Sequence, residues 1–187
     1  GNMRQNIENT EYFVGKDIRS REIGRHPQYT MKDMKLIVQK YNASNGIEYF
    51  ISCESKDKKA LFGFCRLRIP LEHSNRTDVI YSKSLKNHGL IRELHVYGSL
   101  VGVDELLLNK NVHSIQHKGI GKQLIRKAEQ ISWRRHFKIG AVVISGIGVR
   151  KYYEKLGYKQ KNSYMVKSFN INKYIEILIN SSLCALY

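Results

Sequence analysis

A short, almost wholly apolar run from Ile139 to Ser145 restricts the possible folds of this chain more than any other sequence feature. Such a run, without alternating polar residues, is typical of a strand that is buried on both faces of a sheet. Helical apolar periodicity precedes it, from Leu124 to about His136, and a short helical segment around Tyr152 follows it. The pattern predicts a sheet that is covered by helices.

The upstream residues predict one helix and three strands. A roughly helical apolar stripe runs from Met31 to Tyr41, after a capping-box signal at Thr30 and Asp33. The three predicted strands and a fourth after the Tyr152 segment are rich in β-branched or aromatic residues, and they cover 47–54, 60–69, 89–97 and 158–169. After the first helix the order is therefore β-β-β-α-β-α-β. This order predicts an α/β layered fold with a mixed central sheet flanked by helices.

Charge is the second constraint on function. The chain has 187 residues, with 32 Lys and Arg against 16 Asp and Glu, so its formal net charge is +16. This excess favours an acidic partner, most often nucleic acid, with an anionic membrane, a phosphorylated ligand or a merely solvated basic surface as alternatives. Hydrophobic residues make up 42%, which excludes a mostly disordered chain.

Three regions are predicted along the chain. Residues 1–28 form a basic N-terminal arm, in which Arg19, Arg21 and Arg25 are candidate nucleic-acid contacts. Residues 29–169 form the main domain. Residues 170–187 form an amphipathic helical tail that packs back on the domain, dimerises or attaches to a membrane.

Cysteine and histidine spacing argue against a metal site or a disulfide framework. Cys53, Cys65 and Cys184 contain no CxxC pair, which favours a reducing compartment. His113 and His117 are four residues apart, but the glycines that follow them place the start of the helix later, so no metal site is expected. An apolar leader and an eighteen-residue apolar run are both missing from the sequence. We therefore expect a soluble protein of the cytoplasm, with the nucleus also compatible.

The strongest local motif is Gln116-x-x-Gly119-x-Gly121, directly before the predicted helix. Glycines at the start of a helix let several backbone N–H groups point at an anion, and the helix dipole adds partial positive charge. Lys118 and Lys122 add charge at the rim of this loop. A pyrophosphate fits such a loop, although a plain tight turn into a helix has the same pattern.

The order of the motifs resembles the GNAT acetyltransferase superfamily. The Q-x-x-G-x-G loop is that superfamily's acetyl-CoA pyrophosphate motif, and Tyr153 to Tyr158 match its Y-x-K-x-G-[FY] motif. Longer segments resemble the C-terminal acetyltransferase half of the Elongator catalytic subunit family, and these are RELHVYGS from Arg92, QHKGIGKQL from Gln116, AEQI from Ala128, VISGIGVRKYYEKLGY from Val143 and YMVK from Tyr164.

The Elongator resemblance extends from Asp17, where DIRSREIG is similar to the family's linker, to Lys167. Two features of the family are missing from this sequence. The radical-SAM half with its cluster cysteines is absent, and Gly15 stands where the family has a linker cysteine of a zinc site.

The resemblance implies a role for each motif residue. The strand segment Glu93, Leu94, His95 and Val96 would lie along the acetyl-pantetheine arm. The residues implied to cradle the pyrophosphate are Gln116, Lys118, Gly119, Ile120, Gly121, Lys122 and Gln123. Tyr153 would lie beside the sulfur and protonate the departing thiolate, while Tyr152 packs in the core.

Two further side chains are candidate catalytic groups, each with a structural alternative. Glu93 would be the general base if the acceptor were an amine, but a glutamate at a strand edge is often a salt-bridge partner. His95 would act in catalysis or only make a local hydrogen bond.

Three functions from different classes follow from these observations. The first is an Elongator-type acetyltransferase domain that binds acetyl-CoA and cleaves it in a tRNA-dependent manner, with tRNA and a radical-SAM domain or other Elongator subunits as partners. The second is a stand-alone lysine or N-terminal protein acetyltransferase. The third is a non-enzymatic module that binds CoA or RNA.

Overall fold

The computed structural model describes residues 17–44, 46–70, 87–98 and 119–170. Within these ranges the chain forms a seven-stranded sheet in the order β1-β2-β3-β4-β5-β7-β6. The strands are β1 Met34–Ala43, β2 Gly46–Ser55, β3 Leu61–Pro70, β4 His88–Val96, β5 Gly140–Val143, β6 Lys159–Lys161 and β7 Tyr164–Ser168. The helices of the described ranges are α1 Ile120–His136 and α2 Arg150–Glu154, with short 3-10 turns at Ile23–Arg25, Met31–Asp33 and Ile147–Val149.

The sheet is mixed, because β4 and β5 are parallel whereas β7 pairs antiparallel with both β5 and β6. All four residues of β5 are buried, as the apolar run predicted, but Ile139 and Ile144 on either side lie outside the strand and are 42% and 48% exposed. The predicted α/β layered fold is confirmed.

The chain divides into two compact units, which are described separately. Unit 1 comprises the described residues within Gly1–Lys40, Tyr49–Arg66 and Leu94–Ile125, and unit 2 those within Tyr41–Glu48, Leu67–Glu93 and Arg126–Tyr187.

The core of unit 1 comes from β2, β3 and the first turns of α1. Its fully buried members include Ile51, Cys53, Leu61, Cys65 and Leu124. Burial raises the pKa of the Cys53 thiol to about 11, with a smaller contribution from the charge of Glu54, and burial also raises the pKa of Cys65. Neither thiol is in a disulfide. Because their pKa values are raised, both thiols stay protonated at neutral pH.

In unit 2, β4 and β5 supply the buried centre. Leu90 and Val142 lie opposite each other in the parallel ladder and pack against Tyr164 and Val166 of β7. Gly157 follows α2 with φ +87°, a left-handed conformation that glycine adopts without strain. The N–H of Tyr158 donates to the Tyr153 carbonyl at 3.1 Å across this glycine, which closes the end of the short helix.

The predicted first helix is wrong. Met31–Asp33 forms a single 3-10 turn, which the Thr30 and Asp33 side chains cap as a capping box, and the chain then enters β1. No residue of β1 is fully buried, so its apolar residues are spread over two half-covered faces. Its β-branched and aromatic residues suit an edge strand that pairs with β2, and this pairing overrides the apparent helical period.

The predicted last strand is in fact a hairpin. Strands β6 and β7 are joined by a turn in which Asn162 has φ 55°. Asparagine tolerates this left-handed conformation better than most residues. A single predicted strand over 158–169 is therefore two short strands.

The N-terminal segment is not an extended arm from Asp17 onward. Ile23 is buried, Glu22 forms an isolated bridge with Leu61, and the Leu61 N–H donates to the carbonyl of Arg21. These contacts attach the segment to the start of β3. The predicted tail, 170–187, lies outside the described residues except for Asn170, and no helix in the described ranges is long and apolar enough to cross a membrane.

Candidate functional site

The start of α1 has the geometry of an anion site. Gly119 has φ +119°, and its carbonyl accepts the first helical hydrogen bond from the N–H of Gln123 at 2.8 Å. The N–H groups of the first helical turn have no partner inside the helix, and the dipole makes this end partly positive. Gly121 is buried, whereas Lys122 and Gln123 are exposed. Gln116 and Lys118, which complete the predicted loop, lie outside the described residues.

Gly63 of β3 brings β4 close to the start of α1. A Cβ at this position would lie 2.7 Å from the His95 carbonyl oxygen, 3.2 Å from the Val96 Cα and 3.3 Å from the Ile120 side chain. Any side chain here would push the strand or the helix away. Three predicted site residues, His95, Val96 and Ile120, thus lie around Gly63 in unit 1. The sequence motifs do not point to Gly63 itself.

The His95 ring is held by an aromatic row. It stacks on Phe64 at a centroid distance of 5.0 Å and an interplanar angle of 25°, and Phe64 stacks in turn on Phe50 at 5.1 Å. The Tyr97 ring lies beside both, 6.5 Å from His95 and 6.4 Å from Phe64. His95 itself is exposed, so its imidazole has a fixed plane and an open edge. Local sequence patterns gave no signal for this row, because its members come from three strands.

Strand β4 extends beyond the end of its parallel neighbour. The register with β5 runs from His88 opposite Gly140 to Ile91 opposite Val143, and the N–H of Ile144 then donates to the Ile91 carbonyl at 3.2 Å. β4 continues as strand to Val96. Backbone groups of a strand beyond such a point can bind an extended ligand as an added strand would. Glu93 and Leu94 in this part of β4 are half-buried.

The two tyrosines of α2 differ in burial. Tyr153 is 5% exposed and Tyr152 is 37% exposed. The Tyr153 ring packs edge-on against Tyr158 at 5.8 Å and against Tyr152 at 5.3 Å. The prediction that Tyr152 packs in the core is wrong, because the short helix turns Tyr153 inward.

In unit 2 the carboxylate of Glu129 binds both the Tyr158 hydroxyl and the Lys167 ammonium. The Tyr158 hydroxyl donates to Glu129 Oε1 at 2.9 Å, and Lys167 Nζ lies 3.0 and 3.2 Å from the two Glu129 oxygens. The same ammonium lies 5.5 Å from the centre of the Tyr158 ring. Sequence reasoning assigned no role to Glu129 and Lys167, although both occur in segments that carried the family resemblance.

The three candidate nucleic-acid arginines have different environments. Arg19 and Arg25 are exposed. Arg21 instead forms an ion pair with Glu54 at 2.8 Å and donates to the Lys58 carbonyl at 3.1 Å, and its side chain is only 15% exposed. A phosphate at Arg21 would have to compete with this internal pair.

In the ranges that the structure describes, no three His, Cys, Asp or Glu side chains are arranged to hold a metal ion. His113 and His117 lie outside those ranges.

The sequence of this chain matches a known protein family. Residues 5–158 match the family described as "Acetyltransferase (GNAT) family". Elongator complex protein 3 of Schizosaccharomyces pombe is 36% identical over 173 residues, which are 89% of this chain and 30% of that protein. The Homo sapiens protein of the same name is 37% identical over 155 residues, which are 81% of this chain and 27% of the relative.

A solved structure gives the same result. The archaeal Methanocaldococcus infernus Elp3 with an N-terminal deletion has a TM-score of 0.65 and 35% sequence identity, and the match covers 81% of this chain and 35% of that one. The chain thus spans between a quarter and a third of the length of the curated relatives named above. The resemblance inferred from the motifs is confirmed, and the chain belongs to the GNAT acetyltransferase family and is related to Elongator complex protein 3.

Proposed function

We propose that this chain binds acetyl-CoA and cleaves its thioester, and that tRNA stimulates the cleavage. The observation that carries the proposal is the end of the parallel ladder at Ile91 and Val143, beyond which β4 continues to Val96. Membership of an acetyltransferase family and relatives named Elongator complex protein 3 support it further. The net charge of +16 favours a polyanionic partner such as tRNA.

The proposed roles of the residues follow from their chemistry. Backbone groups from Glu93 to Val96 hydrogen-bond the acetyl-pantetheine arm, and those near the thioester polarise its carbonyl. The first-turn N–H groups of Ile120, Gly121 and Lys122 bind the pyrophosphate, and the exposed side chains of Lys122 and Gln123 complete the site.

The proposed cleavage is hydrolysis of the thioester. Water attacks the carbonyl carbon, the carbon–sulfur bond breaks, and the phenol of Tyr153 donates its proton to the departing thiolate. Glu93 or His95 is the candidate base that takes the proton from water. The proposed partners are tRNA, other Elongator subunits and a radical-SAM domain, and the proposed compartment is the cytoplasm.

The test is acetyl-CoA hydrolysis by the purified chain with and without tRNA. We expect tRNA to stimulate the parental chain and Tyr153→Phe to lose about 100-fold in rate, because general acid catalysis contributes on the order of 10²–10⁴. Tyr152→Phe is the matched control and should keep most of the activity.

Three outcomes contradict the proposal in different ways. Hydrolysis that tRNA does not stimulate, together with transfer to a lysine peptide that Glu93→Gln abolishes, indicates a protein acetyltransferase. Absence of any rise in melting temperature with CoA indicates a module that does not use the cofactor. Equal losses in the two tyrosine variants would remove Tyr153 from its proposed role.

A further inference from the structure

The solvent face of α1 is strongly basic. The helix carries Lys122, Arg126, Lys127, Arg134 and Arg135. Its single acid, Glu129, is buried and paired with Lys167. Residues four apart share a helix face, and Arg126, Gln130 and Arg134 are all exposed at this spacing. In unit 2 the exposed face of α1 therefore presents positive charge with no acidic residue of the helix to neutralise it.

An exposed phenylalanine stands at the end of this face. Phe137 directly follows the last residue of α1, is 78% exposed, and has φ 51°. Its N–H donates to the Trp133 carbonyl at 2.9 Å, which closes the last helical turn. Glycine normally occupies this left-handed position, and an L side chain there strains the backbone.

Stability alone explains the arginines but not the phenylalanine. Arg134 and Arg135 in the last turn interact favourably with the helix dipole. Phe137, however, combines a strained backbone with a large apolar ring in water, and neither contributes to core packing. A residue with both costs is suited to binding another molecule.

We propose that the exposed face of α1 together with Phe137 binds RNA that contains unpaired bases. Arg126, Arg134 and Arg135 contact phosphates, and Phe137 stacks on an unpaired base. Arginine and aromatic side chains together are the groups that recognise single-stranded RNA. The inference rests on the proposed function in one respect, since it supplies a surface for the RNA partner named there.

The first test uses fluorescence anisotropy with a 12-nucleotide oligouridylate. Phe137→Gly should weaken binding roughly tenfold, in the range expected for the loss of one base stack. The same substitution should keep or raise the melting temperature, because glycine adopts φ 51° without strain. Phe137→Tyr should preserve affinity. Asn162→Gly is the matched control, because it relieves a similar φ of 55° in the β6–β7 turn without removing a ring.

The second test measures how binding depends on salt. The double variant Arg134→Gln/Arg135→Gln should reduce the slope of log K against log salt by about 1.4, at roughly 0.7 per phosphate contact on a single strand. Lys159→Gln/Lys161→Gln removes the same charge from exposed residues of β6 and should leave the slope unchanged. Polyglutamate should compete poorly with the oligouridylate.

Each contrary result has a defined meaning. Unchanged affinity in Phe137→Gly, equal slopes in the two double variants, or competition by polyglutamate would overturn the proposed surface. If tRNA stimulates hydrolysis but only Arg19→Ala and Arg25→Ala weaken RNA binding, the surface is wrong and the proposed function stands. If the oligouridylate binds through Phe137 and tRNA has no effect on hydrolysis, the surface stands and the proposed function fails.

Discussion

Lys167 and Glu129 form a two-pronged ion pair in which Nζ lies 3.0 Å and 3.2 Å from the two carboxylate oxygens. The pair joins β7 to α1, and the Tyr158 hydroxyl donates to the same carboxylate at 2.9 Å. The Glu129 side chain is 8% exposed and that of Lys167 is 29% exposed, so the charges are partly screened. One buried carboxylate of α1 therefore holds both β7 and the segment before β6.

Glu129→Gln should lower the free energy of unfolding by about 2–3 kcal/mol, because hydrogen bonds to a buried charge are stronger than neutral ones. Tyr158→Phe removes one of these bonds and should cost about 1.5 kcal/mol. Urea denaturation measures both, with the exposed Gln130→Ala as control. An equal cost for the two variants would show that the Lys167 pair contributes little.

Arg68→Met should destabilise the chain more than Arg92→Met. Both guanidinium groups contact Glu48 Oε1, at 2.9 and 3.0 Å, but their side chains are 20% and 40% exposed. Arg68 also donates to the carbonyls of Ala43 and Ser44. We expect a loss of about 2 kcal/mol for Arg68→Met, because Glu48 keeps Arg92 but loses a charged hydrogen bond and two carbonyls lose their donor, and about 1 kcal/mol for Arg92→Met. The reverse order in urea denaturation would contradict this assignment.

Gly63→Ala should weaken acetyl-CoA binding and reduce stability by about 1–3 kcal/mol, as overpacking does. The added methyl would lie 2.7 Å from the His95 carbonyl and would displace the part of β4 that is proposed to hold the ligand. Calorimetric titration with acetyl-CoA measures the affinity. Gly98→Ala, with nothing within 4 Å of its Cβ, should leave both quantities unchanged. If Gly63→Ala bound acetyl-CoA with normal affinity, the proposal that β4 holds the ligand would be wrong.

Ser55→Ala should raise the pKa of Asp57 more than Tyr29→Phe does. Hydrogen bonds from the Ser55 and Tyr29 hydroxyls, in that order of importance, lower this pKa from 3.8 to about 2. Because the folded value lies below the unfolded one, the stabilisation is fully present above about pH 4 and is lost as the pH falls through about 2. NMR titration of the carboxyl group gives the values. If the two variants raised the pKa of Asp57 equally, the Tyr29 hydrogen bond would lower that pKa as much as the Ser55 hydrogen bond does, which contradicts the prediction.

Local patterns were sufficient to predict the elements next to the motifs. The apolar run became the buried β5, and the glycine motif predicted a helix directly after it, which in the structure begins within the motif at Ile120. In these cases a short segment contains the whole signal, because burial on both faces and a glycine before a helix are local properties. The pattern at Met31 to Tyr41 gave the wrong result, since an edge strand with two half-covered faces has no clear period.

Contacts between distant residues could not be predicted in the same way. His95 stacks on Phe64, which lies 31 positions earlier, and Glu129 meets Lys167 across 38 positions. The basic neighbours of Arg21 predict an arm that binds nucleic acid, but its partner Glu54 lies 33 positions later in the sequence. A sequence shows which residues are charged or aromatic. Which of them contact each other depends on how the strands, helices and N-terminal segment pack together.

The attachment of the N-terminal segment also determines how the chain can be shortened. A fragment that starts at residue 29 would keep Glu54, which is 3% exposed, but lose its partner Arg21. A buried carboxylate that loses its cation is strongly destabilising. Such a fragment should therefore melt at a lower temperature than a fragment that starts at Asp17. The first residues after Asp17 thus belong to the smallest fragment of unit 1 that keeps this ion pair.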